Sequence, residues 1–205
     1  MNKTPLSRQL SFIVEIDKLK SIFRHTLLMD GSRRENDAEH AWHLALMALV
    51  ISDLSGDKNL DLFKVVRMVL IHDLVEIDSG DALLYDETRR RKLKALERIA
   101  ARRIFGLLPA GQAREFRRLW EEFEERKSPE ARFAAALDRF QPVLHNYMTK
   151  GKAWKRNRVT AAMVLEKNAH IADGAPELWE RVKAMVAEGE RAGYFGVPGK
   201  RKKKG

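Results

Sequence analysis

His40, His72, Asp73 and Asp138 are the residues of this 205-residue chain whose types and positions could do chemistry. His40 follows Glu39 at the start of ENDAEHAWHLALMA, His72 and Asp73 follow the apolar run VVRMVLI, and Asp138 interrupts the small-residue run AAALDRF. Each replaces an apolar side chain in a helical apolar pattern, and a buried polar or charged group is costly unless it is paired or bound to a metal. Two imidazoles and two carboxylates from three helices make a nitrogen and oxygen ligand set. It suits a divalent cation such as Mn²⁺, Co²⁺, Mg²⁺, Fe²⁺ or Zn²⁺ and leaves room for water and a substrate oxygen. Glu76 lies four residues after His72 and three after Asp73, so a continuing helix puts all three on one side. From there it can act as general base toward water, while Asp81, beyond Gly80, can orient that water or protonate a leaving oxygen.

Helices are expected to position these groups. Gln9 to Phe23 carries Leu10, Ile13, Val14 and Leu19 at mostly helical spacing, enough for one or two short amphipathic helices. The stretch Arg24 to Arg34 turns polar around Asp30-Gly31-Ser32 and reads as a turn. Asn36 or Asp37 caps a helix running to about Leu54, and Leu60 to Leu74 is hydrophobic nearly all round, as a buried helix would be. Ser79-Gly80-Asp81 reads as a loop. Glu87 to Phe105 and Gln112 to Arg126 follow as amphipathic helices. Ser128 and Pro129 then open a helix through Ala131 to about Met148. Gly151 to Asn157 reads as a basic loop around Trp154, and Val159 to Ile171 and Pro176 to Arg191 as a closing helix pair. With no period-two alternation, internal repeat or linker, the expectation is an all-α domain of seven to nine helices over 1–198, with a basic, disordered tail at 199–205.

Composition narrows the function classes. Without cysteine there are no disulfides, thiolate metal sites or cysteine nucleophiles, so any metal must be held by His, Asp and Glu. No window approaches a membrane span and the start MNKTPLSRQL lacks a signal-peptide core, so a cytoplasmic location and no membrane partner are expected. The net charge of +10 suggests a polyanion partner, but Lys200 to Lys204 supply five of those charges, which leaves the body at +5. Nucleic acid is therefore not the expected partner.

The order AEH, then HDLVEIDSGD, then a lone Asp138, resembles the signature of the HD-domain metal-dependent phosphohydrolases, and within them the 5′-deoxynucleotidase branch. The resemblance runs from about Leu10 to Ile171. It implies a single helical HD bundle and assigns His40, His72, Asp73 and Asp138 as metal ligands. Glu76 and Asp81 become the residues that activate water and assist phosphate departure. Arg24 matches an arginine that contacts the substrate, with His25 beside it where the branch has tryptophan. Ala82-Leu83-Leu84-Tyr85 likewise replaces a proline-containing segment of the branch, and both departures bear on selectivity for deoxyribose. The implied activity is hydrolysis of a nucleoside 5′-monophosphate, and the implied assembly a homodimer. Hydrolysis of an alarmone or nucleoside triphosphate is the alternative within enzymes. A regulatory or nucleic-acid-binding module with a structural metal, touching its partner through the basic tail, is the alternative outside them.

Other residues have plainer readings. His43, His145 and His170 read as structural histidines and Asp78 as a solvated loop acid. Arg33 and Arg34 are expected to pair with Glu35 and Asp37, and Trp42, Trp120 and Trp179 to face the core. Arg89 to Lys94 and Arg102-Arg103 read as the wet face of a helix, and Trp154 as either a base-stacking residue or a loop anchor.

Overall fold

The computed structural model describes residues 4–197, so the basic tail lies outside the described residues. Thr4 opens α1 (Pro5–Ile16) by accepting a hydrogen bond from the Ser7 N–H, and a 3₁₀ turn, Asp17–Ser21, follows. The chain then departs from the expected helix and turn. Phe23–Leu27 forms β1 and Arg34–Asn36 forms β2, an antiparallel hairpin with an irregular register, pairing Phe23 with Asn36 and Leu27 with Arg34. Asp30-Gly31-Ser32 is its tip, where Asp30 accepts from the Ser32 N–H and Gly31 takes φ +73°. Strands this short and polar carry no alternation long enough to read.

Asn36 begins α2 (Asp37–Val50) with a reciprocal capping box: its side chain accepts from the Glu39 N–H, and the Glu39 carboxylate accepts from the Asn36 N–H. Glu39 is thereby a capping residue, clamped further by Arg33 at 2.6 and 2.9 Å. The buried run is divided: α3 (Leu62–Ile71) tightens into a 3₁₀ turn at His72–Val75 and reopens as α4 (Glu76–Ser79). In a 3₁₀ turn residues i and i+3 eclipse, which stacks Glu76 over Asp73.

The later elements are α5 (Glu87–Phe105), α6 (Ala110–Glu125), α7 (Pro129–Met148), α8 (Lys152–Arg156), α9 (Ala161–Asn168), α10 (Ile171–Gly174) and α11 (Pro176–Arg191). The expected loop around Trp154 is instead the short helix α8. The result is an all-α fold with one small hairpin, and eight of its helices are eight residues or longer among the described residues.

The fold is organised on α7. Ser128 caps it, Pro129 starts it, and Phe133, Ala134, Ala136 and Leu137 are wholly buried, together with the polar Asp138, Gln141 and His145, as suits a central helix that carries site residues. It packs against α2, α3, α6, α10 and α11. Burial of a side chain such as Phe133 or Leu137 contributes roughly 1.5–3 kcal/mol. At Gly174 the backbone of α10 comes so near α7 that a Cβ would sit 2.2 Å from the Arg132 carbonyl oxygen. Pro142, inside α7, has no N–H for the Asp138 carbonyl and loosens the helix at that residue.

Several surface expectations need correction. Trp42 is 62% exposed, because the inward face of α2 is taken by His40, Ala41, Leu44 and Ala48. Asp78 is on α4 and is held by Arg103 of α5 at 2.5 and 2.6 Å, while Arg103 also binds Glu15 at 2.8 Å. Arg103 therefore staples α1, α4 and α5 from the exposed face of α5, where it was expected. Arg34 donates to the Arg24 and Phe23 carbonyls across the hairpin and Arg33 takes Glu39, which releases Glu35 and Asp37 to the interior.

Candidate metal centre

The four candidate ligands meet at one point. His40 Nε2 from α2 lies 3.1 Å from Asp138 Oδ1 of α7 and 3.9 Å from Asp73 Oδ2. His72 Nε2, at the end of α3, lies 3.1 Å from Asp73 Oδ2 and 3.6 Å from Asp138 Oδ1. Both imidazoles are buried, with ring centroids 5.6 Å apart. The His72 Nδ1–H donates to the Val69 carbonyl at 2.9 Å, which aims Nε2 at the two carboxylates.

These residues fit a divalent cation. His72 Nε2 is buried without a hydrogen-bond partner, and His40, His72 and Asp73 each offer a ligand atom within 4.8 Å of the others. Burial opposes a charge on His72, but Asp73 and Asp138 outweigh it and lift its pKa to about 10. The same carboxylates are themselves pulled down by positive neighbours despite burial: Asp73 by His72, Arg24 and His40, and Asp138 by Arg139, His40 and His72. The centre of the cluster thus attracts positive charge, and a proton on His72 occupies the place a cation would take. Burial and the nearby Arg24 hold His40 neutral, its pKa lowered to about 4, which suits a nitrogen ligand.

Around this centre lies a carboxylate-rich wall. Arg24, from β1, puts Nη1 2.7 Å from Asp73 Oδ2 and 3.4 Å from Asp37 Oδ1, with Nη2 3.9 Å from Asp138 and Nε 3.9 Å from Glu35. Asp37, fully buried at the start of α2, brings a carboxylate oxygen within 4.8 Å of oxygens of Asp73 and Glu76. Burial, then the neighbouring Asp73, raises Asp37 to about 7; burial together with Asp73, Asp37 and Asp81 raises Glu76 well above the usual carboxylate range. At neutral pH this pair of carboxyls readily holds a proton. Asp81 Oδ2 accepts from the backbone N–H of His25 at 3.2 Å, so the hairpin anchors the loop after Gly80. Gly80 has φ +72° and ψ 158°, a region open essentially to glycine alone, and it is what turns the chain back toward the site.

A cavity of about 430 Å³ opens on this wall, lined among others by Arg24, His25, His72, Glu76, Asp81 and Arg139. Its size suits a small metabolite. Trp154 is one of its walls, but its ring is buried and stacked on Phe195 at 4.7 Å, so its indole face is already used.

Sequence reasoning missed Glu35, Asp37, Arg139 and Gln141. Glu35 is buried behind His40, with Oε2 3.8 Å from His40 Nδ1 and Oε1 receiving a 2.6 Å hydrogen bond from Gln141. Burial raises Glu35 to about 7. Gln141 also approaches His43 Nδ1, and the His145 Nδ1–H donates to the Leu27 carbonyl at 2.9 Å, tying α7 to β1. Asp37 had a readable signal: it precedes His40 by three residues, which is one face of a helix. Glu35 had none, since its inward direction depends on the hairpin.

A histidine and aspartate cluster beside a substrate-sized, carboxylate-lined cavity in a helical bundle defines a metal-dependent hydrolase. The chain belongs to the HD domain family, whose model matches residues 16–179. A crystal structure described as a predicted metal-dependent phosphohydrolase from Magnetospirillum magnetotacticum MS-1 superimposes with a TM-score of 0.90 at 49% identity, over 94% of this chain and 96% of that one. The chain is 30% identical to 5′-deoxynucleotidase HDDC2 of Danio rerio over 145 residues, 69% of this chain and 70% of the relative. It is 32% identical to the Homo sapiens protein of that name over 136 residues, 66% and 65% of the two. It is thus an enzyme, a metal-dependent HD phosphohydrolase. None of its described helices is long and apolar enough to cross a membrane.

Proposed function

We propose that this enzyme hydrolyses nucleoside 5′-monophosphates, deoxyribonucleotides among them, to nucleoside and phosphate, with a divalent ion held by His40, His72, Asp73 and Asp138. The reading is supported by the cavity, whose walls include Glu76, Asp81, Arg24 and Arg139 and whose volume suits one nucleotide. A bound divalent ion stabilises charge on the phosphate and makes water a better nucleophile. With the proton of the pair resting on Asp37, Glu76 takes the proton from the attacking water as the new P–O bond forms. Asp81, fixed by the His25 N–H, assists as the P–O5′ bond breaks, and the proton taken up by Glu76 passes to O5′, which departs as a hydroxyl. Arg24 holds Asp73 and Asp138 in place and balances the charge they collect. His25 lines the cavity where the branch places tryptophan, and it meets the sugar side of the substrate.

A panel of ribo- and deoxyribonucleoside monophosphates, with a nucleoside triphosphate and a guanosine tetraphosphate alongside, tests this in Mn²⁺ or Co²⁺. The expected result is release of inorganic phosphate from the monophosphates, abolished by chelator and by Asp73→Ala. Turnover that persists in Asp73→Ala would sink the assignment.

A further inference from the structure

We propose that Arg139 is the residue that grips the substrate's phosphate. Arg24, the arginine expected there, is committed to the interior: four carboxylates lie within 3.9 Å of its guanidinium, and its side chain is only 12% exposed. A guanidinium neutralised by so many neighbours has little field left for a dianion. The wall it faces also carries Glu76 and Asp81, so an approaching phosphate meets an excess of negative charge that further cations must offset.

Arg139 is placed for that task. It follows Asp138 on α7 and lines the cavity with Pro142 and Asn146, which lie one and two turns further along the same face. Its nearest carboxylate, Asp138 Oδ2, is 3.6 Å from Nε, an ion pair too long for a hydrogen bond. Nε is buried without a hydrogen-bond partner, and the side chain is 17% exposed. A guanidinium on the cavity wall with its Nε left without a partner presents the planar fork by which arginine binds phosphate oxygens in pairs. Asp138 then has two roles: one oxygen faces the histidines, and the other steers Arg139 toward the cavity.

The inference deepens the phosphomonoester reading and rests on it for the source of the phosphate, but it can be tested without turnover. Inorganic phosphate is titrated calorimetrically into the full-length, Mn²⁺-loaded protein as wild type, Arg139→Ala and Arg139→Lys, with metal content measured on each sample. Arg139→Ala is expected to weaken phosphate binding about ten- to hundredfold at wild-type metal content. Arg139→Lys, which keeps the charge and the packing stem, is expected to fall between and carries the test if the alanine variant does not fold. In turnover the same variants raise KM far more than they lower kcat. Unchanged phosphate affinity overturns the proposal, as does loss of the metal in Arg139→Lys, which would make Arg139 a support for Asp138. If phosphate binding falls as expected while no monophosphate is hydrolysed, the anion site stands and the nucleotidase reading fails.

Discussion

His40 and His72 reach the same two carboxylates from different helices, and what separates them is the partner on the far nitrogen. His72 is oriented by a backbone carbonyl, whereas His40 backs onto Glu35, whose own carboxyl is buried and held by Gln141. These rear contacts were the illegible part of the site. The four candidate ligands stood out because each interrupts an apolar pattern, but Glu35 and Asp37 sat beside Arg33 and Arg34 in the sequence and looked like surface partners of those arginines. His145 permits a prediction here. Burial lowers its pKa to about 4, so the folded protein excludes a proton that the unfolded chain accepts below about 6.5. Its contribution to stability is therefore complete above pH 6.5 and is lost as pH falls toward 4, on the order of 2–3 kcal/mol. His40 shifts the same way. Glu35 and Asp37, raised to about 7, act in the opposite direction over this range, so the test is the difference: as pH falls from 6.5 toward 4 the Tm of the wild type should drop relative to that of His145→Gln, and equal slopes would refute it.

The elements that build the site are where local conformation departs from simple periodicity. The tightening of α3 at His72, the glycine turn at Gly80 before Asp81 and the proline inside α7 four residues after Asp138 each alter a regular helix beside a candidate site residue. Helix periodicity was strong enough to place α2, α3 and α7. It could not reveal the 3₁₀ turn, the hairpin or α8, because those depend on contacts with the rest of the fold. Gly80 gives the sharpest consequence. Nothing lies within 4 Å of a Cβ built there, so the constraint is backbone conformation and not space. Gly80→Ala is expected to cost about 1–3 kcal/mol. It should also lower kcat, since the strain relaxes by moving Asp81. Chemical denaturation and steady-state kinetics check both, and a variant with wild-type stability and kcat would show that the turn positions nothing.

At the scale of the whole molecule, α7 brings distant parts of the chain to one place: Arg24 on the hairpin, His40 on α2, His72 and Asp73 after α3, and Asp138 on α7 itself. The all-α class and the order of the helices were legible in the sequence because burial patterns are local. The cavity was not, because its walls come from residues as far apart as Arg24 and Asn168. We propose that His40, His72, Asp73 and Asp138 hold one divalent ion on which hydrolysis depends. Elemental analysis of gently purified protein, paired with phosphate release from a nucleoside monophosphate, tests it most directly. About one ion per chain is expected in the wild type, and loss of both ion and activity in Asp138→Asn. An Asp138→Asn protein that keeps its ion and its turnover would contradict it.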